Sequence, residues 1–118
     1  LDDICYATQN RQEAAHDLAQ KCELVLVIGS ENSSNTMRLA EIVENKNVRV
    51  YRIASAEEIK KEWFNHVQNV GITAGASSPE ILITETIDYF KNYYKKVNII
   101  TMDGVKEKTV FKPLLNFS

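Results

Sequence analysis

Two turns of this chain combine a glycine with paired serines at the start of a helix, a residue pattern that can hold an anion. The side chains concerned are Ser33, Ser34 and Asn35 in one turn and Ser77 in the other. The amino end of a helix carries unpaired N–H groups and a partial positive charge, and these side chains add neutral donors. A diphosphate held between the two turns is one interpretation. Serine and asparagine also commonly cap helices, so capping alone is the other interpretation, and spacing leaves both open.

A second kind of chemistry is available from sulfur, because Cys5 ends an apolar stretch directly before a polar turn. Ligands in open α/β sheets bind at the carboxyl ends of the strands, so this thiol is a candidate metal ligand or nucleophile. A single cysteine is more often a buried small hydrophobic residue, and we predict that role for Cys22, which lies in a helical stripe with Ala15 and Leu18. The two cysteines lack the spacing of a zinc knuckle or of a redox Cys-x-x-Cys pair.

Strand-like and helix-like segments alternate along the chain, which predicts an α/β fold with a parallel sheet. The predicted strands are 4–7, 23–28, 47–53 and 67–73, with two short strands at 97–102 and 108–111. The predicted helices are 10–21, a segment marked by Leu39, Ala40 and Val43, a segment over 55–64 with a capping box at Ser55, and a segment that begins near Pro79. We expect three layers: a mostly parallel sheet of about four strands with helices on both faces. Residues 1–95 form this domain, and residues 96–118 form a carboxyl-terminal extension.

The composition is that of an ordinary globular protein and excludes several classes of function. Hydrophobic residues make up 44% and charged residues 25% of the 118 residues. A net charge of −2 and a pI near 5.7 argue against nucleic-acid binding, which depends on basic patches. No apolar run approaches the roughly 20 residues of a membrane span, so we expect no membrane partner.

The absence of a signal peptide and the cysteine pattern favour a cytoplasmic location. A start at Leu1 indicates a processed or shortened product.

Three motifs, taken in order, resemble those of the 4-hydroxy-3-methylbut-2-enyl diphosphate reductases, the LytB family. They are ICYATQNRQ at 4–12, NSSNTMRL at 32–39 and TAGASSPE at 73–80. The resemblance extends from residue 4 to about residue 90, and the tail after Tyr94 carries no matching motif. It implies the last reductive step of non-mevalonate isoprenoid biosynthesis, in which an iron–sulfur oxidoreductase removes the allylic hydroxyl of the diphosphate substrate. The implied products are isopentenyl and dimethylallyl diphosphate.

The resemblance also implies roles for the residues in the three motifs. Cys5 would be one of three cysteines that hold a 4Fe–4S cluster, and the substrate diphosphate would be held by Ser33, Ser34, Asn35 and Ser77. The implied electron donor is a ferredoxin or a flavodoxin. A plastid would replace the cytoplasm if the source is a plant or a parasite.

Several functional residues of that family have no match in this sequence. They are two cluster cysteines, the histidines that face the diphosphate, and the glutamate and threonine that handle the substrate hydroxyl. We expect them upstream of Leu1, in the remainder of the reductase chain, against which residues 96–118 could pack. We therefore predict that this chain alone contains no catalytic residue, holds no cluster and has no activity. Two other hypotheses stay open: a non-catalytic phosphate- or nucleotide-binding module, and a structural domain with capping serines and an inert Cys5.

Overall fold

The computed structural model describes residues 1–7, 12–30, 32–75, 80–94 and 96–101, which form a five-stranded parallel sheet with three α-helices. In chain order the elements are β1 (Asp3–Tyr6), α1 (Gln12–Lys21), β2 (Leu24–Ile28), α2 (Ser34–Glu44), β3 (Arg49–Ile53), β4 (Asn69–Ala74), α3 (Glu80–Tyr93) and β5 (Asn98–Thr101). The strands lie in the order β3-β2-β4-β1-β5, and every neighbouring pair runs parallel. None of these helices is long and apolar enough to cross a bilayer. The predicted α/β class with a mostly parallel sheet is confirmed, with five strands instead of about four.

The sheet is covered on both faces, because strand β2 is buried along its whole length. Leu24, Leu26 and Ile28 belong to a core cluster shared with α3, whereas Val25 and Val27 belong to the cluster beneath α1 and α2. A strand that is buried on both faces has a continuous apolar sequence, as this one does. The predicted three-layer arrangement is therefore confirmed.

The additional strand, β5, comes from residues that we assigned to the carboxyl-terminal extension. It pairs in parallel with β1, so that Ile99 lies opposite Ile4 and Ile100 lies opposite Cys5. The predicted extension over 96–118 thus begins inside the sheet. Its remaining residues, 102–118, lie outside the described part of the chain, and so does the predicted strand over 108–111.

The prediction of an α-helix over 55–64 is wrong. Two short 3₁₀ helices occupy this segment, Ala56–Glu58 and Lys61–Phe64. The Ser55 side chain makes no capping hydrogen bond, and the Glu58 carboxylate instead accepts one from the Ala54 N–H at 3.2 Å. Ile59, between the two short helices, is extended (φ −72°, ψ 135°) and buried in the core. Tertiary packing of this apolar side chain therefore overrides the local capping signal.

Three adjacent strands continue into helices that lie on opposite faces of the sheet. Strands β1 and β2 lead into α1 and α2 on one face, whereas β4, which lies between them, leads into α3 on the other face. Connections that diverge in this way open a crevice at the carboxyl ends of the strands, where open α/β sheets bind their ligands. The topology thus predicts a ligand site at the carboxyl ends of β1, β2 and β4.

At the other end of the strands, the Glu23 carboxylate connects the amino ends of β2 and β4. It accepts hydrogen bonds from the backbone N–H groups of Gln68 and Asn69, the second at 3.1 Å. These bonds lower the pKa of Glu23, because they stabilise the charged form of the carboxyl. The side chain is exposed, so solvent screening weakens the effect. Glu23 still ties the first residue of β4 to the strand beside it.

Replacing Glu23 by Gln should lower the free energy of unfolding near neutral pH. Because the folded-state pKa is lowered, this carboxylate stabilises the fold above its unfolded pKa of about 4.3, and the stabilisation is lost as the pH falls through the folded value. Urea unfolding of both proteins from about pH 7 to about pH 3 measures the difference, which should shrink toward the acid end. Glu85→Gln, at an exposed position of α3, is the control. A difference that does not change with pH contradicts the prediction.

Candidate functional site

The amino end of α2 is shaped by Ser33, which is the N-cap of that helix. Its backbone is extended (φ −80°, ψ 120°), and its hydroxyl oxygen accepts a hydrogen bond from the Thr36 N–H at 3.3 Å. The capping interpretation is thus correct for this oxygen. A serine hydroxyl also has a hydrogen to donate, so the cap leaves Ser33 with one donor for an anion.

Ser34 and Asn35, the first two residues of α2, extend the set of donors at this helix end. Ser34 is exposed, and Asn35 is half-buried. The first N–H groups of a helix have no acceptor within the helix, and the helix dipole places a partial positive charge there. The Asn35 Nδ2 atom is buried and has no hydrogen-bond partner among the residues that the structure describes. This end of α2 therefore offers both backbone and side-chain donors without a cationic side chain.

The end of β4 packs against the same end of α2. The Gly75 N–H donates to the Ile28 C=O at 2.9 Å, which continues the pairing of β4 with β2. A Cβ atom built on Gly75 would lie 2.6 Å from Thr36 Oγ1 and 3.6 Å from Asn35 Nδ2. The structure therefore brings the first turn of α2 next to the start of the turn after β4. Ser77, which follows in that turn, lies outside the described residues.

Three buried polar atoms in the described part of the chain have no hydrogen-bond partner: Asn35 Nδ2, Thr36 Oγ1 and Thr73 Oγ1. Thr36 and Thr73 are fully buried, and Thr73 is the next-to-last residue of β4. Leaving a buried donor unpaired costs about 1–3 kcal/mol. An acceptor-rich ligand or an ordered water molecule would recover part of that cost. The unpaired groups thus concentrate at the strand ends, where the fold places its crevice.

Cys5, the next-to-last residue of β1, is fully buried beneath α1. It pairs with Gly71 of β4, and its thiol makes a side-chain hydrogen bond with that of Cys22. A Cβ atom built on Gly71 would lie 3.3 Å from Cys22 Sγ, so the glycine leaves room for the second sulfur. Burial raises the pKa of both thiols. The predicted burial of Cys22 is confirmed, and Cys5 lies in the same packed layer instead of facing the crevice.

The described residues do not assemble a metal centre by themselves. They contain no group of three or more His, Cys, Asp or Glu side chains that could hold a metal ion. A cluster ligand must be a thiolate, and metal binding itself displaces the thiol proton, so the raised pKa of Cys5 does not decide whether this sulfur can bind iron. The described residues alone therefore supply Cys5 as one candidate ligand, and the other ligands of an iron–sulfur cluster would have to come from elsewhere in a longer protein.

Sequence reasoning missed the close approach that builds this site. The pattern places Gly29 and Gly75 in turns, but it does not show that both backbones contact Thr36. A partial signal exists, since each glycine directly follows an apolar strand and precedes a helix. The contact between a particular helix end and a particular strand cannot be predicted from the sequence pattern, because it depends on the order of the strands in the sheet.

The fold is that of an α/β protein with a parallel sheet, and polar side chains lie at the ends of β2 and β4 and at the start of α2. The family described as LytB protein matches residues 1–91, and the chain belongs to this family.

Curated relatives are similar in sequence to most of this chain. The 4-hydroxy-3-methylbut-2-enyl diphosphate reductase of Psychrobacter sp. (strain PRwf-1) is 60% identical over 92 residues, which are 78% of this chain and 29% of the relative. The reductase of the same name from Wigglesworthia glossinidia brevipalpis is 49% identical over 110 residues, which are 92% of this chain and 35% of the relative. This chain thus spans about a third of the length of these curated relatives.

Solved structures agree with these relatives. The structure of the E-1-hydroxy-2-methyl-but-2-enyl-4-diphosphate reductase from Plasmodium falciparum matches with a TM-score of 0.76 at 26% identity, over 89% of this chain and 33% of that one. A second structure, of the (E)-4-hydroxy-3-methyl-but-2-enyl diphosphate reductase described as the terminal enzyme of the non-mevalonate pathway, matches with a TM-score of 0.66 at 40% identity. It covers 70% of this chain and 29% of that one.

In metal-free full-length protein, Cys5 and Cys22 should react with N-ethylmaleimide at least about 100-fold more slowly under native conditions than in urea. Both thiols are buried, and a raised pKa keeps each one protonated. Peptide mapping by mass spectrometry quantifies the alkylation of each cysteine separately. Cys22→Ala, which removes the sulfur contact, should speed the alkylation of Cys5. Rapid native alkylation of Cys5 in the unchanged protein would show that its thiol faces solvent.

Proposed function

We propose that this chain is part of a reductase that converts 4-hydroxy-3-methylbut-2-enyl diphosphate into isopentenyl and dimethylallyl diphosphate. The support is its membership of the LytB family and its similarity, at up to 60% identity, to reductases of that name. The reaction removes the allylic hydroxyl of the substrate with two electrons and two protons. We further propose a ferredoxin or a flavodoxin as electron donor and a cytoplasmic location.

The role that we propose for the described residues is to bind the substrate diphosphate. The observation that carries this proposal is the packing of the α2 amino end against Gly75. It brings the first turn of α2 next to Gly75, and we propose that Ser77, two residues further along the chain, joins Ser33, Ser34 and Asn35 on one ligand. Charge-assisted hydrogen bonds from neutral donors are strong when the acceptor is an anion. The acidic overall charge is therefore compatible with a diphosphate ligand.

Cys5 is our proposed ligand for an iron–sulfur cluster that would supply electrons in the full-length protein. It belongs to the strand end nearest the crevice, one residue before Tyr6 ends β1. In the described arrangement its side chain is buried beneath α1, next to Cys22. The remaining ligands would come from other parts of the full-length protein. We accordingly propose that residues 1–118 alone do not turn over substrate.

The alternative is a non-catalytic phosphate-binding module. The packing of Cys5 against Cys22 favours this alternative, because a buried cysteine in a packed cluster has a structural role without any metal. Both proposals require the same diphosphate site. They differ in whether the full-length gene product reduces the substrate. Anaerobic assay of that protein with a chemical reductant, followed by gas chromatography of the dephosphorylated products, distinguishes the two. Tight pyrophosphate binding without any product would support the module.

Adjacent serines allow the diphosphate site to be tested separately from helix capping. Ser33→Ala should lower the free energy of unfolding by about 1 kcal/mol, because the Thr36 N–H loses its acceptor. Ser34→Ala should leave stability nearly unchanged, because this side chain is exposed, and should weaken pyrophosphate binding about 10-fold through loss of a hydrogen bond to a charged group. Calorimetric titration of the full-length protein measures the affinity, and urea unfolding measures the stability.

Ser55 offers a matched control for these variants. It also precedes a short helical segment, but its side chain makes no capping hydrogen bond and it belongs to a different connection, the one that follows β3. Ser55→Ala should therefore change neither stability nor pyrophosphate affinity. If Ser34→Ala binds pyrophosphate as tightly as Ser55→Ala does, Ser34 is not part of the site.

A further inference from the structure

We propose that Thr36 is a positioning residue for the diphosphate: its side chain sets the distance between the amino end of α2 and the strand ends at Gly29 and Gly75. The inference rests on the proposed function, because it concerns the same site. Thr36 is fully buried, so it does not itself offer a surface to the ligand. It is the third residue of α2 and directly follows the two proposed binding residues Ser34 and Asn35.

The Thr36 hydroxyl lies between two backbones. A Cβ atom built on Gly29 would lie 2.2 Å from Thr36 Oγ1, and one built on Gly75 would lie 2.6 Å from the same oxygen. Real Cβ atoms do not approach other atoms so closely, so both positions need glycine for this packing. One side-chain oxygen therefore packs against the ends of both β2 and β4, which are paired with each other.

Both glycines are held by the sheet and cannot easily move away from Thr36. The Gly29 N–H donates to the Ile53 C=O at 2.9 Å, and the Gly75 N–H donates to the Ile28 C=O at 2.9 Å. Because these amides are already paired, the glycines serve the site through close approach and not as donors to the ligand. The backbone on each side of the hydroxyl is thus fixed.

Thr36 is also held from within its own helix turn. Its N–H donates to Ser33 Oγ at 3.3 Å, while its Oγ1 has no hydrogen-bond partner within the described part of the chain. Burying an unpaired hydroxyl is unfavourable, so a second methyl group would be expected at this position unless the smaller oxygen is needed. The tight contacts with the two glycines supply that reason. We infer that the Thr36 hydroxyl matters at this position because it is smaller than a methyl group.

A change at Thr36 would move the donors that precede it. Asn35 Nδ2 lies 3.6 Å from the Cβ position of Gly75, so it shares the contact that Thr36 controls. The larger methyl group of valine would push the first turn of α2 away from Gly75. The donors at the start of α2 would then shift relative to the strand ends, and misplacement of binding groups by about 1 Å is costly.

The test compares three variants of the full-length gene product: Thr36→Val, Thr36→Ser and the control Thr86→Val. Thr86 is also a fully buried helical threonine, but it lies in α3 and its hydroxyl donates to the Leu82 C=O at 2.8 Å. Thr36→Val should bind pyrophosphate about 10-fold more weakly and raise KM by a similar factor, with a smaller change in kcat. Thr36→Ser, which keeps the oxygen, should stay within about 3-fold of the unchanged protein. Thr86→Val should leave the affinity unchanged.

The outcomes separate this inference from the function on which it rests. If Thr36→Val folds and binds pyrophosphate as tightly as the unchanged protein, the inference is wrong and the proposed site stands. If the unchanged protein itself binds no pyrophosphate, both are wrong. Should Thr36→Val fail to fold, Thr36→Ala replaces it: it removes the spacer without adding bulk, and unchanged affinity in that variant also overturns the inference.

Discussion

The close approach of α2 to two strand ends is the constraint on which the rest of this structure depends. One buried oxygen, Thr36 Oγ1, is in contact with the backbones at Gly29 and Gly75. That contact is possible because β4 lies directly beside β2 and because neither glycine has a side chain. The strand order therefore decides whether the donors at the start of α2 and the turn after β4 can act on the same ligand.

Much of the fold could be predicted from the sequence, because its signals are local. The apolar run of β2 predicts a strand that is covered on both faces, and the apolar spacing of Leu39, Ala40 and Val43 predicts the buried side of α2. The alternation of strands and helices predicts the parallel sheet. These features depend on residue type and period within one element, so no knowledge of distant contacts is needed.

The features that could not be predicted depend on contacts between distant segments. Ser55 and Glu58 have the spacing of a capping box, yet burial of Ile59 breaks the segment into two short helices. Cys5 was expected to face the ligand because it is close to a strand end. In a strand, however, successive side chains point to opposite faces, and helices cover both faces of this sheet. The four residues of β1 do not reveal which face Cys5 takes, so its contact with Cys22 required the structure.

The serines show why capping and anion binding need not be alternatives. A hydroxyl has both lone pairs and a hydrogen. In Ser33 the oxygen is used by the Thr36 N–H, which leaves the hydrogen for a ligand, while Ser34, one residue later, has no capping role. Capping also fixes the orientation of the N–H groups that an anion would need. A site built in this way attracts phosphate through local dipoles, so a chain with a net charge of −2 can hold a diphosphate without a basic patch.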